Sequence, residues 1–296
     1  MKYWLIDTDI GDDIDDALAI GYALEKGLNI VGITTVYREA EKRVLIVKKL
    51  LEYKNKTDIP VFGGYSKPIT VNPVIIGKMN YEAGENTEKS DPEKAVDFIA
   101  DCAEKYGEEL CVMSIGAQTN IAKAWEKHPD KMQKIGLLAI MGGCFTLHHN
   151  EWNIACDPSA ARIVSESTMN IFYMPWELTK EIYIGRENYQ YILDRHTDDL
   201  QGYLAELVRQ WKTRNSYIPL LHDPAALICA EMDQMCVKKD VAFHVVDNGA
   251  ASGITLNVDD LDLAALPKFY SKKIHLAVKT DKDMIVNEFM KTTFCL

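Results

Sequence analysis

Six aspartates lie within ten residues near the start of the chain, in the segment DTDIGDDIDD between Asp7 and Asp16. Ionised carboxylates at this spacing repel one another, so they need a compensating partner when a fold brings them together. A hard divalent cation is such a partner, because calcium takes several oxygen ligands and magnesium takes fewer together with more water. We therefore interpret Asp9 and Asp16 as metal ligands.

The other acids of the segment allow a second interpretation, which stays open. Asp12, Asp13 and Asp15 could cap the helix that follows and interact favourably with its dipole. An EF-hand is excluded, because Asp12 occupies the position where that loop needs glycine. A phosphate site is disfavoured, because the sequence G-x-x-x-x-G-K is absent and the carboxylates would repel phosphate.

Two distant segments carry further polar side chains of this kind. His222 and Asp223 open the sequence HDPAAL, where Asp223 is a ligand or an ordinary helix cap and His222 is functional or a surface residue. Glu151 and Asn153 lie two residues apart in a loop after a predicted strand, so their side chains can point the same way. Asp157 is interpreted as the cap of the next helix.

Short apolar segments alternate with helical patterns, which is typical of a parallel sheet covered by helices. Strands are predicted at 3–6 and 29–36, in IPVFGG, ELCVMSIG, IGLLAIMGG and NIFYMP, and later in VAFHVVD, SGITLNV and KIHLAV. Helices are predicted at 17–27, 41–53 and 91–106, in TNIAKAWEKH and DPSAARIVSES, at 198–214, from residue 223 and at 281–291. The sequence thus predicts an α/β fold: an open, mostly parallel sheet with helices on both faces and some late antiparallel strands. Ligands of such sheets bind at the carboxyl ends of the strands, where Asp7 and Asp9 lie.

Composition favours a single domain over residues 1–296 that binds neither nucleic acid nor membranes. The net charge is −11, whereas binding a phosphate backbone requires a basic surface. The pairs Lys42-Arg43 and Lys48-Lys49 fall on an amphipathic helix and are interpreted as its solvated face. The seven cysteines have no C-x-x-C spacing, which argues against zinc or a disulfide framework and favours a reducing cytoplasm. The first apolar run is too short for a signal peptide, and no later segment approaches the length of a membrane span.

Together these segments resemble the nucleoside hydrolases, the inosine–uridine-preferring family. The N-terminal signature of that family, D-x-D-P-G-x-D-D-A directly after the first strand, is similar to DTDIGDDIDDA here. Two departures are Ile10 in place of proline and two extra residues between Gly11 and the last aspartate pair. Similar sequences continue in the family's order in SIGAQTNIA, in MGG, in EWN followed by DPSAA, and in HDPAA. The resemblance implies a Rossmann-like nucleoside hydrolase fold.

The resemblance also implies how the bond between base and ribose is hydrolysed. Calcium would be held by Asp9, Asp16, Asp223 and the main-chain carbonyl of Ile115. Calcium-bound water would be acidified and positioned, and Asp9 would take its proton as the general base. The departing base needs a proton or a hydrogen bond, and His222 is the implied catalytic acid, with a substrate-contact or structural role as the alternative.

The implied ligand is a small ribonucleoside. Its ribose hydroxyls would be bound by Asp15, Asn153 and Asp223, and its 5′-hydroxyl side by Glu151, while Asp7 would support the metal ligands. Vicinal hydroxyls can ligate calcium and also donate hydrogen bonds to carboxylates. By analogy with the family, a homo-oligomer is expected, either a dimer or a tetramer.

The base side of the site is where the sequence departs most from the family. Arg38 and Glu39 stand where a Gly-Asn pair is usual, and Ile76 stands where a histidine is common. Trp152 could flank the substrate, but we favour a core aromatic. An asparagine of the family has no clean counterpart, and the residues that could replace it are His148, His149 and Asn150. Nucleobase preference therefore stays open.

Two other functions account for part of the sequence. Asp7-Thr8-Asp9 after a strand resembles the start of haloacid-dehalogenase-like phosphatases, but the threonine expected next is absent and HDPAA stays unexplained. A non-catalytic nucleoside-binding or calcium-binding protein of the same fold is the third possibility. The segment 64–90 has little periodicity, and so long a loop is usually functional or mobile.

Overall fold

The computed structural model describes residues 2–70, 90–147, 149–195, 198–258 and 273–296. This part of the chain contains ten strands and twelve α-helices, and up to residue 174 strands alternate with one or two helices, as expected of an α/β fold. The strands are β1 (Tyr3–Thr8), β2 (Asn29–Thr35), β3 (Val61–Gly63), β4 (Leu110–Ser114), β5 (Leu137–Met141), β6 (Ile171–Met174), β7 (Cys236–Val241), β8 (Phe243–Val245), β9 (Thr255–Asn257) and β10 (Ile274–Thr280).

Aspartates mark where several of the helices begin. The side chains of Asp91, Asp157, Asp198 and Asp281 each accept a hydrogen bond from a backbone N–H in the first turn, which confirms the predicted caps at 91 and 157. The helices are α1 (Asp15–Glu25), α2 (Ala40–Tyr53), α3 (Pro92–Tyr106), α4 (Thr119–Lys127), α5 (Pro129–Met132), α6 (Trp152–Cys156), α7 (Pro158–Glu166), α8 (Trp176–Thr179), α9 (Gly185–Asp194), α10 (Asp199–Lys212), α11 (His222–Glu231) and α12 (Lys282–Phe294).

The helices cover both faces of the main sheet, as predicted. Successive residues of β1 point to opposite faces, so Trp4 and Ile6 pack on one side and Leu5 packs on the other. The first side buries residues of α1, α2, α10, α11 and α12, and the second buries residues of α3, α4 and α7. Burial on both faces explains why the strands are nearly continuous apolar runs.

The main sheet has eight strands in the order β3-β2-β1-β4-β5-β6-β10-β7. Every neighbouring pair is parallel except the last, β10 with β7. The chain moves outward from β1 through β2 to β3 and then returns to the other side of β1 with β4. Ligand crevices of open α/β sheets lie at such a reversal, which here separates the ends of β1 and β4.

The end of the chain confirms the antiparallel prediction but distributes its strands differently. β8 and β9 pair with each other in a separate two-stranded sheet, whereas β10 joins the main sheet between β6 and β7. The sequence pattern did not predict β7, because its sequence CVKKDV carries the charged, exposed residues of an edge strand. It also did not predict α5, α6 and α8, which have only four or five residues each, or the longer α9.

Some expectations fall on residues outside the described ranges. These include most of the long loop predicted at 64–90, together with Ile76 and His148. Across the described ranges, no helix is both long enough and apolar enough to cross a bilayer.

Candidate active site

The first aspartate, Asp7, lies inside the sheet rather than in the cavity at its edge. It accepts hydrogen bonds from the Thr34 hydroxyl at 2.6 Å and the Asn120 amide at 2.7 Å, and it is fully buried. Burial raises its pKa to about 7, although the two hydrogen bonds oppose that rise. The nucleophile of a haloacid-dehalogenase-like phosphatase must be open to substrate, so the placement of Asp7 does not support that alternative.

Four buried carboxylates converge just beyond β1. Asp15 and Asp16 are the first residues of α1, and Asp223 is the second residue of α11, more than two hundred positions later. One oxygen of each of these three side chains lies within 4.8 Å of the others. Asp9 follows β1 in the same cavity, and its buried Oδ2 has no hydrogen-bond partner among the described residues.

The electrostatics of this cluster fit a bound cation. Burial is the largest cause that raises the pKa of Asp9, to about 7, and repulsion by Asp12 adds to it. The pKa values of Asp15, Asp16 and Asp223 are also raised well above their ordinary range. Burial is the largest cause, and repulsion from neighbouring aspartates adds to it. A divalent ion would reverse the sign of these neighbour effects and stabilise the ionised side chains.

The helix-cap alternative is not borne out for Asp12 or Asp223, whereas Asp15 lies in the first turn of α1, where its charge interacts favourably with the helix dipole as that alternative expects. The residue that precedes α1 is Ile14, which makes no side-chain cap, and the residue that precedes α11 is Leu221. Asp223 is therefore inside the helix rather than at its cap. Asp12 pairs with arginine side chains instead of capping α1.

The cluster forms one side of a cavity of about 510 Å³, a size suited to a small organic ligand. All the residues proposed from the sequence as ligands or catalytic groups line it. The lining consists of Asp9, Asp12, Asp13, Asp15, Asp16, Ile115, Met141, His149, Asn150, Glu151, Trp152, Asn153, Trp176, Tyr217, His222 and Asp223.

Glu151 and Asn153 are buried in the wall of the cavity by local backbone structure. The Glu151 carboxylate caps α6 by accepting hydrogen bonds from the backbone N–H groups of Asn153, at 2.9 Å, and Ile154, at 3.0 Å. The backbone N–H of Gly143, after β5, donates a third bond at 3.0 Å. The Asn153 amide donates to the main-chain oxygen of Met141 at 3.1 Å. Both side chains are thus held rigidly at the end of β5.

His222 lies at the start of α11, next to Asp223. Its Nδ1 atom lies 2.7 Å from the Thr179 hydroxyl, and the ring is largely removed from solvent. Burial lowers its pKa to about 4, so the imidazole is neutral at pH 7. The surface-residue alternative for His222 is wrong, because the ring lines the cavity.

Aromatic side chains form the outer part of the cavity. Trp152 is 41% exposed, so our preference for a core aromatic was wrong. The His149 ring stacks on Trp176 with centroids 4.2 Å apart, while the Asn150 amide donates to the Ser252 carbonyl at 2.8 Å. Tyr217 is 46% exposed near Asp13 and Asp15. Trp176 and Tyr217 could not be predicted as site residues, because they belong to segments without motifs.

The two arginines near the site differ from expectation. Arg43 is completely buried, so the interpretation of Lys42-Arg43 as a solvated face is wrong for the arginine. It lies three residues after Ala40 and four before Val47, on the apolar stripe of α2, and that spacing was an available signal. Arg38 lies 3.5 Å from Asp12, with its guanidinium 5.5 Å from the centre of the Trp152 ring, whereas the Glu39 side chain pairs with Lys42 at the surface.

The fold and the site together define an α/β enzyme with an acidic cavity that could hold a metal at the reversal point of its sheet. Residues 4–287 match the family described as "Inosine-uridine preferring nucleoside hydrolase". The chain belongs to this family, and it is a hydrolase that acts on N-glycosyl bonds.

Individual relatives support this assignment over different lengths. The chain is 26% identical to "Probable uridine nucleosidase 2" of Arabidopsis thaliana over 98% of this chain and 96% of that protein. It is 33% identical to "Pyrimidine-specific ribonucleoside hydrolase RihA" of Escherichia coli K12, over 62% of this chain and 63% of that protein.

Solved structures share the fold over the whole chain. A plant nucleoside hydrolase, PpNRh1, superposes with a TM-score of 0.85 at 24% identity, covering 100% of this chain and 99% of that chain. A purine-preferring ribonucleoside hydrolase from Gardnerella vaginalis superposes with a TM-score of 0.78 at 26% identity, covering 99% and 98%.

Proposed function

We propose that this protein hydrolyses ribonucleosides to free base and ribose in the acidic cavity beyond β1. The observation that carries the proposal is the position of Asp223, which α11 brings against Asp15 and Asp16 despite their distance in the chain. Without that contact, the aspartates of the first βα turn and the HDPAA segment would have no common site.

We assign the cation to calcium, held by Asp9, Asp16, Asp223 and the main-chain carbonyl of Ile115. Two observations support this set of ligands: the pKa values of these carboxyl groups are raised by burial and further by mutual repulsion, and one Asp9 oxygen has no hydrogen-bond partner among the described residues. Calcium accepts six to eight oxygen ligands in a flexible arrangement, so it can combine carboxylates, a carbonyl and ribose hydroxyls. When bound, it supplies a Lewis acid that lowers the pKa of a water molecule at the site.

The polar residues of the cavity bind and orient the ribose. Asp15 and Asp223 accept hydrogen bonds from its vicinal hydroxyls, and Asn153, which lines the same cavity, also contacts them. Glu151 binds the 5′-hydroxyl side. The backbone bonds that hold Glu151 support this role, because they fix the carboxylate before substrate arrives.

The chemistry follows from the charge of this cavity. Cleavage of an N-glycosidic bond develops positive charge on the ribose ring in an oxocarbenium-like transition state. The surrounding carboxylates stabilise that charge more than they stabilise the neutral substrate. Asp9 takes a proton from the attacking water, and a carboxylate whose pKa burial has raised is a stronger base than an exposed one.

His222 serves the departing base as a hydrogen-bond donor. We assign the Thr179 hydrogen to the 2.7 Å contact with Nδ1 rather than to the main-chain oxygen of Trp176 at 3.3 Å. The neutral ring then carries its proton on Nε2. This donor stabilises the negative charge that develops on the base, without a preformed imidazolium.

We propose no preference among nucleobases, because the relatives are named for different nucleobase preferences. They include a uridine nucleosidase and a pyrimidine-specific enzyme as well as a purine-preferring one. We therefore propose ribonucleosides as the substrate class on the ribose-binding residues alone.

Oligomeric state and location complete the proposal. Membership of the family supports a homo-oligomer, a dimer or a tetramer, which light scattering of the purified protein would measure. All seven cysteines are free, and this supports a cytoplasmic, reducing compartment.

The direct test is release of reducing sugar from a panel of purine and pyrimidine ribonucleosides, with calcium or with excess chelator. We expect ribose from at least one nucleoside, loss of release on chelation, and recovery when calcium is restored. Tight nucleoside binding without turnover would instead indicate a binding protein, and phosphate release from phosphoesters would indicate a phosphatase.

A second test separates the role of His222 from those of the metal ligands. We expect His222→Ala to lower kcat on a natural nucleoside by about 10²-fold, as for the loss of one hydrogen-bond donor to a developing negative charge. The same variant should keep its activity on 4-nitrophenyl ribofuranoside, whose leaving group needs no proton. Equal losses on both substrates would show that His222 does not act on the leaving group.

A further inference from the structure

Arg43 connects the two loops that meet at the acidic cavity, although it lies on α2, outside the cavity lining. Its Nε donates to the main-chain oxygen of Tyr37 at 2.9 Å, in the loop after β2. Its Nη1 donates to the main-chain oxygens of Asp9, by a close contact, and Ile10, at 2.9 Å, in the turn after β1. Its Nη2 donates to Asp12 Oδ1 at 2.9 Å in the same turn. One planar side chain therefore holds four acceptors.

Arg43 also differs in charge from its surroundings. Among the buried polar residues of the described ranges Arg43 is the single basic side chain, whereas the end of β1 and the start of α1 contribute buried carboxyl groups. Burial alone would lower the pKa of the guanidinium, but Asp12 and Asp9 outweigh it and leave the pKa raised. Arg43 thus stays charged beside the proposed metal ligands.

Arg43 contacts the turn between β1 and α1, which is longer here than in the family signature. Two extra residues separate Gly11 from Asp15, and Asp12 is part of that longer stretch. Asp12 accepts from Arg43 through one oxygen and lies 3.5 Å from Arg38 through the other. A longer turn has more freedom, and buried carbonyls in it need partners. Arg43 provides partners for two consecutive carbonyls.

We propose that Arg43 is a positioning residue for the cation site, acting through the backbone of Asp9 and Ile10 and through Asp12. It contacts neither the substrate nor the cation. It holds the peptide groups from which the Asp9 carboxylate reaches the cluster with Asp16 and Asp223. The inference rests on the proposed function only in taking Asp9 as a cation ligand.

Two physical effects of Arg43 on cation binding have opposite signs, and this makes the proposal testable. Through charge alone, the guanidinium repels a divalent cation, so removing it would strengthen calcium binding. Through positioning, removing it would let Asp9 move and would weaken calcium binding. Residues that orient metal ligands typically contribute 10–100-fold to metal affinity or activity.

The experiment compares Arg43→Lys and Arg43→Met with Lys48→Met, which removes an exposed charge from the same helix. Calcium affinity is measured by calorimetry on the folded, calcium-free proteins, and thermal unfolding is followed with and without calcium. Ribose release at saturating calcium then gives kcat and KM. The calcium-affinity and unfolding measurements need no assumption about the natural nucleobase, and ribose release uses the nucleoside with the highest turnover in the substrate panel.

We expect both Arg43 variants to bind calcium at least 10-fold more weakly than the parent, and Lys48→Met to match the parent. Arg43→Lys should retain more affinity than Arg43→Met, because one ammonium can replace part of the hydrogen bonding. At saturating calcium, kcat should fall while KM changes little. Unchanged or tighter calcium binding in folded Arg43→Lys, with equal loss of thermal stability in both conditions, would overturn the proposal.

A second pair of variants applies if the Arg43 variants do not fold. Asp12→Asn and Asp13→Asn remove the same charge from neighbouring positions of the turn, but only Asp12 bonds to Arg43 among the contacts described. We expect a greater loss of calcium affinity for Asp12→Asn than for Asp13→Asn. Equal losses would mean that charge alone matters, and would overturn the proposal. If calcium binds but no nucleoside is hydrolysed, the proposed function fails while this test still stands.

Discussion

The cavity has two sides that are built in different ways. The floor, which we define as Asp9, Asp15, Asp16 and Asp223, is at most 6% exposed and rests on a strand end and on two helices of the main fold. The rim, which we define as His149, Trp152, Trp176 and Tyr217, is aromatic. Trp152 and Tyr217 on this rim are 41% and 46% exposed.

Because the two sides differ in rigidity and exposure, they can control different parts of the reaction. The side chains of the floor are held in place by packing, by the close hydrogen bond from Thr8 to Asp16, and by Arg43, which bonds to the turn after β1. Such a rigid arrangement suits a bond-cleavage step in which small displacements of the catalytic groups lower the rate. The rim contacts solvent and packs mainly through rings, such as His149 on Trp176. We therefore expect floor variants to change the rate of bond cleavage and rim variants to change which base is accepted.

The largest effect should come from the proposed base on the floor. Asp9→Asn keeps the size of the side chain but removes its ability to take a proton and its charge. We expect kcat to fall by about 10²–10⁴-fold, the usual contribution of a general base. Ribose release at saturating nucleoside measures this, with circular dichroism to confirm folding. Near-normal turnover in a folded variant would mean that Asp9 is not the base.

A smaller effect on the floor should follow from crowding Asp9 without changing it. A Cβ atom at Gly116 would lie 2.8 Å from the main-chain nitrogen of Asp9 and 3.0 Å from its Oδ1, so Gly116→Ala must displace Asp9. We expect roughly 10–100-fold lower kcat, because small misplacements of catalytic groups are costly.

Gly142→Ala is the matched control for that change at the same edge of the sheet. Its new Cβ would have nearest neighbours at 3.4 to 3.6 Å, which is ordinary contact. We expect activity within about threefold of the parent, a range too small to indicate a lost interaction. Equal losses in the two alanine variants would show that the edge as a whole, rather than Asp9, is sensitive.

On the rim, Trp152→Ala should act on substrate binding rather than on the chemical step. Stacking a base on an aromatic ring is worth about 1–3 kcal/mol, so we expect KM to rise roughly tenfold with kcat little changed. The change should differ between purine and pyrimidine nucleosides, which a substrate panel would measure. Leu147→Ala changes an exposed residue that precedes α6 and lies outside the cavity lining, and it should leave KM unchanged. A fall in kcat alone would indicate that Trp152, like the floor residues, acts on bond cleavage rather than on substrate binding.

The smallest expected change is in thermal stability, and its sign depends on pH. Burial raises the pKa values of Asp7 and Asp9 from 3.8 to about 7, so the folded protein binds these protons more tightly than the unfolded chain does. Calcium-free protein should therefore lose stability as pH rises from about 4 towards 7, by a few kcal/mol in all. Calcium, which binds the ionised side chains, should restore stability mainly near neutral pH.

Unfolding temperatures at pH 5 and pH 7.5, with chelator or with calcium, would measure this effect. We expect the calcium-free protein to melt roughly 5 °C lower at pH 7.5 than at pH 5. Asp7→Asn is the control, because it removes one titrating carboxyl outside the cavity and should flatten the dependence. A calcium-free protein whose stability rises over this range would contradict the expected burial of charge.

Several features of the fold and site could be predicted because they are encoded over short distances. The alternation of strands and helices, the caps at Asp91 and Asp157, and the placement of Asp9 after β1 all depend on neighbouring residues. Motifs that occur in a fixed order, such as the one containing Asp223, further restrict which family the chain belongs to.

Other features could not be predicted, because burial depends on what lies across the fold. Arg43 and Lys42 are adjacent in sequence, yet one is buried under the first βα turn and the other pairs with Glu39 at the surface. Trp152 is a large aromatic residue of the kind usually buried in a core. It lies instead in the wall of a cavity, where a bound ligand rather than other protein residues would shield it from solvent. β7 is charged because it forms an edge of the sheet, and local patterns do not show which strand is outermost.

The amino-acid sequence specifies which chemical groups are available: clustered carboxylates after a buried strand, a distant His-Asp pair, and a chain in which strands and helices follow one another. Which of these groups come into contact depends on the packing of the folded chain. The packing of α11 against α1 brings Asp223 to Asp15 and Asp16, and the packing of α2 places a guanidinium under Asp9. The physical reason is that charge repulsion, burial and coordination depend on distances in space, and residues far apart in the chain become neighbours only when the sheet and its helices have assembled.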